Sequence, residues 1–170
     1  MSSSQQQPLP IRDQILFLTI GLISLIVLYL MIGPNRILPG DEMRFIETSK
    51  SFANNFGLTL LKHYEEMSTP LPFMVFGLWG EIFSFELWSM RIGAMLIALC
   101  TLHQLCLLCN ACLQTRKQAW LVGLSLCFAN PYFLPMGTMV YTDMLALFFL
   151  LMALRSYFCS NTIGMVIGCM

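Results

Sequence analysis

The sequence predicts an all-α integral membrane protein: a multi-span helical bundle whose large first external loop carries interfacial, juxtamembrane helices. Three features predict this class. Hydrophobic residues make up 57% of the 170 residues and charged residues only 11%, where a soluble domain is about a quarter charged. The mean hydropathy is +0.72. Apolar runs of membrane length recur along the chain, separated by short polar or basic stretches. The formal net charge is +0, which offers no basic surface to nucleic acid.

The elements follow in order. Residues 1–13 are polar and rich in Ser and Gln, the composition of a disordered cytoplasmic tail. The first span is expected at 14–33, an uncleaved signal anchor long enough to cross about 30 Å of hydrocarbon. Residues 34–88 form an external loop with two interfacial helices, 42–56 and 71–85. Further spans are expected at 89–113, 119–134 and 142–159, and another begins at 163. The loop Gln114-Thr115-Arg116-Lys117-Gln118 is short and basic, so it belongs in the cytoplasm with Arg12 and the N-terminus. That orientation holds only if 71–85, flanked or interrupted by Glu81 and Glu86, lies in the interface instead of crossing. Eight of the nine acidic residues then fall on the external side, Asp13 being the exception.

In the first interfacial helix the apolar positions Phe45, Ile46, Phe52, Ala53 and Phe56 share one side, with Ser49 bridging them. Glu47, Lys50, Asn54 and Asn55 lie on the other, and Gly57 ends the element. Asp41 and Glu42 stand at its N-terminus, where a carboxylate gains about 0.3–1 kcal/mol from the helix dipole. Asp41 as N-cap and Glu42 as helix-start electrostatics is one reading of the pair. Asp143 sits at the start of the 142–159 run, either capping that helix with Thr142 or acting as a functional intramembrane carboxylate.

His63, Glu65 and Glu66 precede the proline turn Thr69-Pro70-Leu71-Pro72 and make an incomplete metal-ligand set. His103, in mid-span, is expected to hydrogen-bond a neighbouring helix. The seven cysteines lie in or beside apolar runs, where a free thiol acts as a small hydrophobe. Cys106, Cys109 and Cys112 line one helix side, which helix packing explains.

The order of these features resembles a known architecture. Gly40-Asp41-Glu42 follows a first span and opens an amphipathic helix. Thr69-Pro70-Leu71-Pro72-Phe73 follows, then Trp88-Ser89-Met90-Arg91-Ile92 at the start of a span. About 100 residues beyond Asp41 comes Tyr141-Thr142-Asp143-Met144-Leu145-Ala146-Leu147. This resembles the N-terminal part of the GT-C membrane glycosyltransferases, in particular relatives of protein O-mannosyltransferase and lipid A aminoarabinose transferase. Where those proteins often read Glu-Lys-Pro-Pro-Leu, this chain reads Glu66-Met67-Ser68-Thr69-Pro70-Leu71, without the basic residue.

The resemblance implies an inverting glycosyltransferase that moves a sugar from a polyprenyl-phosphate donor to a lipid, protein or glycan acceptor. It places the chain in a bacterial inner membrane or the endoplasmic reticulum. It implies Asp41 as catalytic base and Asp143 as its supporting carboxylate. Glu42, Arg44, Lys62, Glu66 and Arg91 become the substrate- and phosphate-contacting residues. No metal ligands are assigned, although a divalent ion is compatible with the family chemistry. Family members cross the membrane many more times, so the resemblance implies a partial GT-C domain over 14–170, inactive alone. The alternative is a small non-enzymatic scaffold or assembly protein whose acidic loop is solvated surface.

Overall fold

The computed structural model describes residues 10–36, 41–54, 69–113 and 116–159. These residues form seven helices and no strand: α1 (Ile11–Ile32), α2 (Glu42–Asn54), α3 (Pro70–Ile82), α4 (Leu87–Cys112), α5 (Arg116–Phe128), α6 (Phe133–Thr138) and α7 (Asp143–Phe158).

Two helices are long and apolar enough to cross a membrane, α1 with 22 residues and α4 with 26. At about 1.5 Å per residue both exceed the hydrocarbon thickness. α1 buries only Asp13, Phe17, Gly21 and Leu25, a stripe repeating every fourth residue. Its other faces present Ile15, Leu22, Ile26 and Leu30 outward. It ends where Gly33 takes φ 90 and its N–H donates to the Tyr29 carbonyl at 3.0 Å, a backbone conformation favouring glycine.

α4 is the central element. α1, α3, α5, α6 and α7 all pack on it. Phe17 and Leu25 of α1, Ala98, Leu102 and Cys106 of α4, Phe133 of α6 and Met144 of α7 form the main core. Cys109 is buried in the same core while Cys112 is exposed. The interhelical partner expected of His103 is Gln14 of α1, at 3.1 Å between Nε2 and Oε1.

The run 119–134, expected as one continuous span, is not one helix. α5 stops at Phe128 after 13 residues, a turn covers 129–132, and α6 adds six residues. The cause is Pro131. It has no N–H to donate, and its ring pushes Asn130 out of the helical region. α7 has 16 residues, below the about 20 of a perpendicular crossing.

α2 and α3 fall where the interfacial helices are expected and pack on each other. Phe73 of α3 stacks on Phe52 at 6.2 Å between centroids and meets Phe45 at 5.6 Å. Glu47, Lys50 and Asn54 are exposed as expected, and Asn55 and Phe56 lie outside the described residues. The close approach of the pair depends on Gly77, where a Cβ would stand 2.8 Å from the Ser49 carbonyl oxygen. Gly77→Val should therefore cost about 1–3 kcal/mol by overpacking. The measurement is thermal unfolding of the detergent-solubilised chain, and an unchanged Tm would contradict the close contact.

A second core cluster unites Ile46 of α2, Phe76 of α3, Met90 and Ala94 of α4, and Val140 just before α7. It brings the start of α2 and the entry to α7 together, although almost 100 residues separate them.

Candidate functional site

The buried face of α2 runs Glu42, Ile46, Ser49, Phe52. The spacing is one helical turn at each step, so Glu42 lies on the inward side of the helix, not on its solvated end. It is 2% exposed. An unpaired carboxylate there would carry a large desolvation penalty. Its partner is Arg91, in the first turns of α4 and 1% exposed.

The pair is bidentate. Arg91 Nε donates to Glu42 Oε1 at 2.9 Å and Nη2 to Oε2 at 2.6 Å, the fork geometry that favours Arg over Lys. The remaining donors turn to the chain just after α1. Nη1 donates to the carbonyls of Gly33 (2.8 Å) and Pro34 (3.4 Å), and Nη2 to that of Arg36 (2.9 Å). Together these contacts employ all five N–H bonds of a guanidinium. Glu42 Oε1 also accepts the Val140 N–H at 3.1 Å.

These contacts alter two expectations. Arg91 has no donor left for a phosphate and no exposed surface to offer one. Glu42 has both oxygens held and is closed to a substrate. Each is buried because it serves the other, and neither is a solvated or ligand-facing group.

The flanking carboxylates differ. Asp41 and Asp143 are both exposed. The Asp41 carbonyl accepts the Phe45 N–H at 2.9 Å, which makes it the N-cap residue of α2 by position. Asp143 is the first residue of α7; Thr142 occupies the N-cap position without a side-chain cap bond. Arg44 is exposed on the first turn of α2. Lys62 and Glu66, along with His63 and Glu65, lie outside the described residues. Among the described residues no group of three His, Cys, Asp or Glu side chains is arranged to hold a metal ion.

No protein-family model, curated protein or solved structure matches this chain.

Tyr141 links the carboxylates. Its ring packs edge-on against Phe45 at 5.8 Å between centroids. Burial pushes its phenol above the ordinary value of 10.0, and the negative charges of Glu42, Asp41 and Asp143 push it further in the same direction. All three carboxylates push the one phenol in the same direction, and the Val140 N–H to Glu42 Oε1 bond brings the segment of Asp41 to that of Asp143, so the two exposed carboxylates belong to one rim. Sequence reading passed over Tyr141; the available signal was an aromatic beside Thr142-Asp143 at a helix start.

A raised phenol pKa also sets a sign for stability. The folded state holds the Tyr141 proton more tightly than the unfolded state, so its contribution is complete below pH 10 and declines as pH rises through the folded value. The difference titration of wild type against Tyr141→Phe at 295 nm should place the midpoint above 10.0. Asp41→Asn or Asp143→Asn should each move it down. A midpoint that ignored both substitutions would separate the phenol from the carboxylates.

A groove lies between α3, α4 and α7, with a volume of about 340 Å³. Phe76, Trp79, Leu96, Cys100, Leu145 and Phe148 are among its lining residues. Trp79 is fixed by a 3.0 Å bond from Nε1 to the Ser89 carbonyl. Leu145 and Phe148 follow Asp143 within two turns of α7, so an apolar wall begins close to the carboxylate rim.

Proposed function

We propose that this chain belongs to a membrane glycosyltransferase that moves a sugar, with inversion, from a polyprenyl-phosphate donor to a hydroxyl of a lipid, protein or glycan. The observation that carries this reading is the bond from the Val140 N–H to Glu42 Oε1, which brings the segments bearing the exposed Asp41 and Asp143 together. Two exposed carboxylates at one rim suit acid–base chemistry on a polar group, and the apolar groove beside them suits a hydrocarbon chain.

In this reading Asp41 takes the proton of the acceptor hydroxyl as its oxygen attacks the anomeric carbon. The bond from that carbon to the phosphate oxygen breaks, and the lipid phosphate leaves with the electron pair. Arg44 on α2, with Lys62, supplies positive charge to the leaving phosphate. Asp143 orients the acceptor. The reading also places the chain as a multi-pass protein, N-terminus in the cytoplasm and the rim on the external or luminal side.

A second reading, a non-enzymatic membrane scaffold, draws on one observation: Glu42 and Arg91 are wholly engaged with protein groups. The deciding experiment is sugar transfer from a radiolabelled polyprenyl-phosphate sugar in membranes expressing the full chain from its native gene, wild type against Asp41→Asn. Transfer by the wild type that Asp41→Asn abolishes supports the enzyme. Equal transfer by both removes Asp41 as base, and no transfer by the wild type favours the scaffold.

A further inference from the structure

We propose that Glu42 and Arg91 are positioning residues: their ion pair, together with the Val140 N–H, fixes the separation of the Asp41 carboxylate from the Asp143 carboxylate. The role rests on the reading of those two aspartates as reacting groups; the geometry beneath it does not.

The contacts join four points of the chain. On one side of the guanidinium are the carbonyls of Gly33, Pro34 and Arg36, at the exit of α1. On the other is Glu42, at the start of α2. Arg91 itself stands near the start of α4. Through Oε1, Glu42 reaches Val140, at the entry to α7. Asp41 is the residue before Glu42, and Asp143 is three residues after Val140. Glu42 therefore joins the segment that carries Asp41 to the segment that leads into Asp143, and Arg91 holds the Glu42 carboxylate in place.

Directionality separates this pair from simple packing. Glu42 cannot rotate without losing a bond, because Oε1 carries two donors and Oε2 a third. Two apolar side chains of the same volume would fill the space. Replacing a buried ion pair in that way is often neutral for stability or even favourable. What apolar side chains would not supply is a directed bond from α2 to the backbone before α7. A catalytic pair needs that bond, since a displacement of about 1 Å can reduce rate on the order of 10²-fold.

The test separates position from stability. In the full chain from its native gene, with every native cysteine replaced by alanine, the seven of residues 1–170 included, Asp41→Cys and Asp143→Cys are combined and treated with a short bismaleimide. The same pair is then placed in a Glu42→Met/Arg91→Met background, which removes both charges and keeps the volume. Cross-linking should be efficient with the ion pair and largely lost without it, while helix content and Tm stay close to those of the parent. Cross-linking that persists in the folded double variant overturns the proposal. If the double variant does not fold, Glu42→Leu/Arg91→Met takes its place, again removing both charges and the acceptor for the Val140 N–H, and the same readout decides.

A second arm keeps Asp41 and Asp143 intact and measures transfer. Glu42→Met/Arg91→Met should lower kcat on the order of 10²-fold with KM little changed; a loss confined to KM would contradict positioning. Absence of transfer by the wild type, with the cross-linking result as expected, would fail the glycosyltransferase reading and leave the positional role standing. Unchanged cross-linking in a chain that does transfer sugar would do the reverse.

Discussion

Arg91→Met is expected to destabilise the chain by about 3–5 kcal/mol. The size follows from what the guanidinium leaves behind. Glu42 would remain 2% exposed with no counter-charge. The Gly33 and Arg36 carbonyls would lose donors at 2.8 and 2.9 Å. Methionine fills most of the volume, so the loss is one of charge and hydrogen bonding, not of a cavity. Three related variants sharpen the result. Arg91→Lys should recover only part of it, because an ammonium cannot reproduce the five-donor fork. Adding Glu42→Met to Arg91→Met should recover more, because it removes the stranded carboxylate. Glu42→Met alone should be costly, since it leaves the guanidinium buried without its counter-ion. Thermal unfolding in detergent, followed by far-ultraviolet circular dichroism, orders the four variants. If Arg91→Met melted with the wild type, the ion pair would not be a structural contact of consequence.

What the sequence made legible differs from element to element. α1 and α4 were readable because a run of about 20 apolar residues is a property of local composition. The broken third span was readable in part. A hydropathy average passes over Pro131, but a helix does not. Glu42 shows a different failure. Its spacing to Ile46, Ser49 and Phe52 places it on the inward face of α2, yet a glutamate is expected to be solvated unless it is paired. Its partner stands 49 residues away on another helix, and a single sequence carries no record of that meeting. The flanks of Arg91, Met90 and Ile92 in a long apolar helix, did carry a hint, since an arginine among apolar neighbours is buried only with a partner. Positions at helix starts left Asp41 and Asp143 open to a capping role, and only the family resemblance pointed to them as reacting groups. That they share a rim with Tyr141 is a product of the tertiary fold, in which Val140 joins the cluster under α2.

Asp41→Asn is expected to reduce the rate of sugar transfer by about 10²–10⁴-fold, the range for loss of a general base. The carboxamide has nearly the same shape as the carboxylate but no basic oxygen at neutral pH. It also keeps the fold, because Asn and Asp are equally favoured at the N-cap position that Asp41 occupies in α2. A loss of activity without a loss of Tm therefore reports chemistry. The loss should fall on kcat more than on the KM for the donor, as the proton moves only when the acceptor oxygen attacks. Asp143→Asn should cost less, because an amide can still orient a hydroxyl through its carbonyl oxygen. If the two aspartates act as a unit, the double variant should be little slower than Asp41→Asn alone. If they act independently, the two losses should multiply. The Tyr141 titration supplies the control: each single substitution should lower the phenol midpoint whether or not the chain transfers sugar, since both charges act on that ring. Activity lost together with a shifted phenol locates the chemistry at this rim. A shifted phenol with activity unchanged would leave the rim intact and take the general-base role away from Asp41.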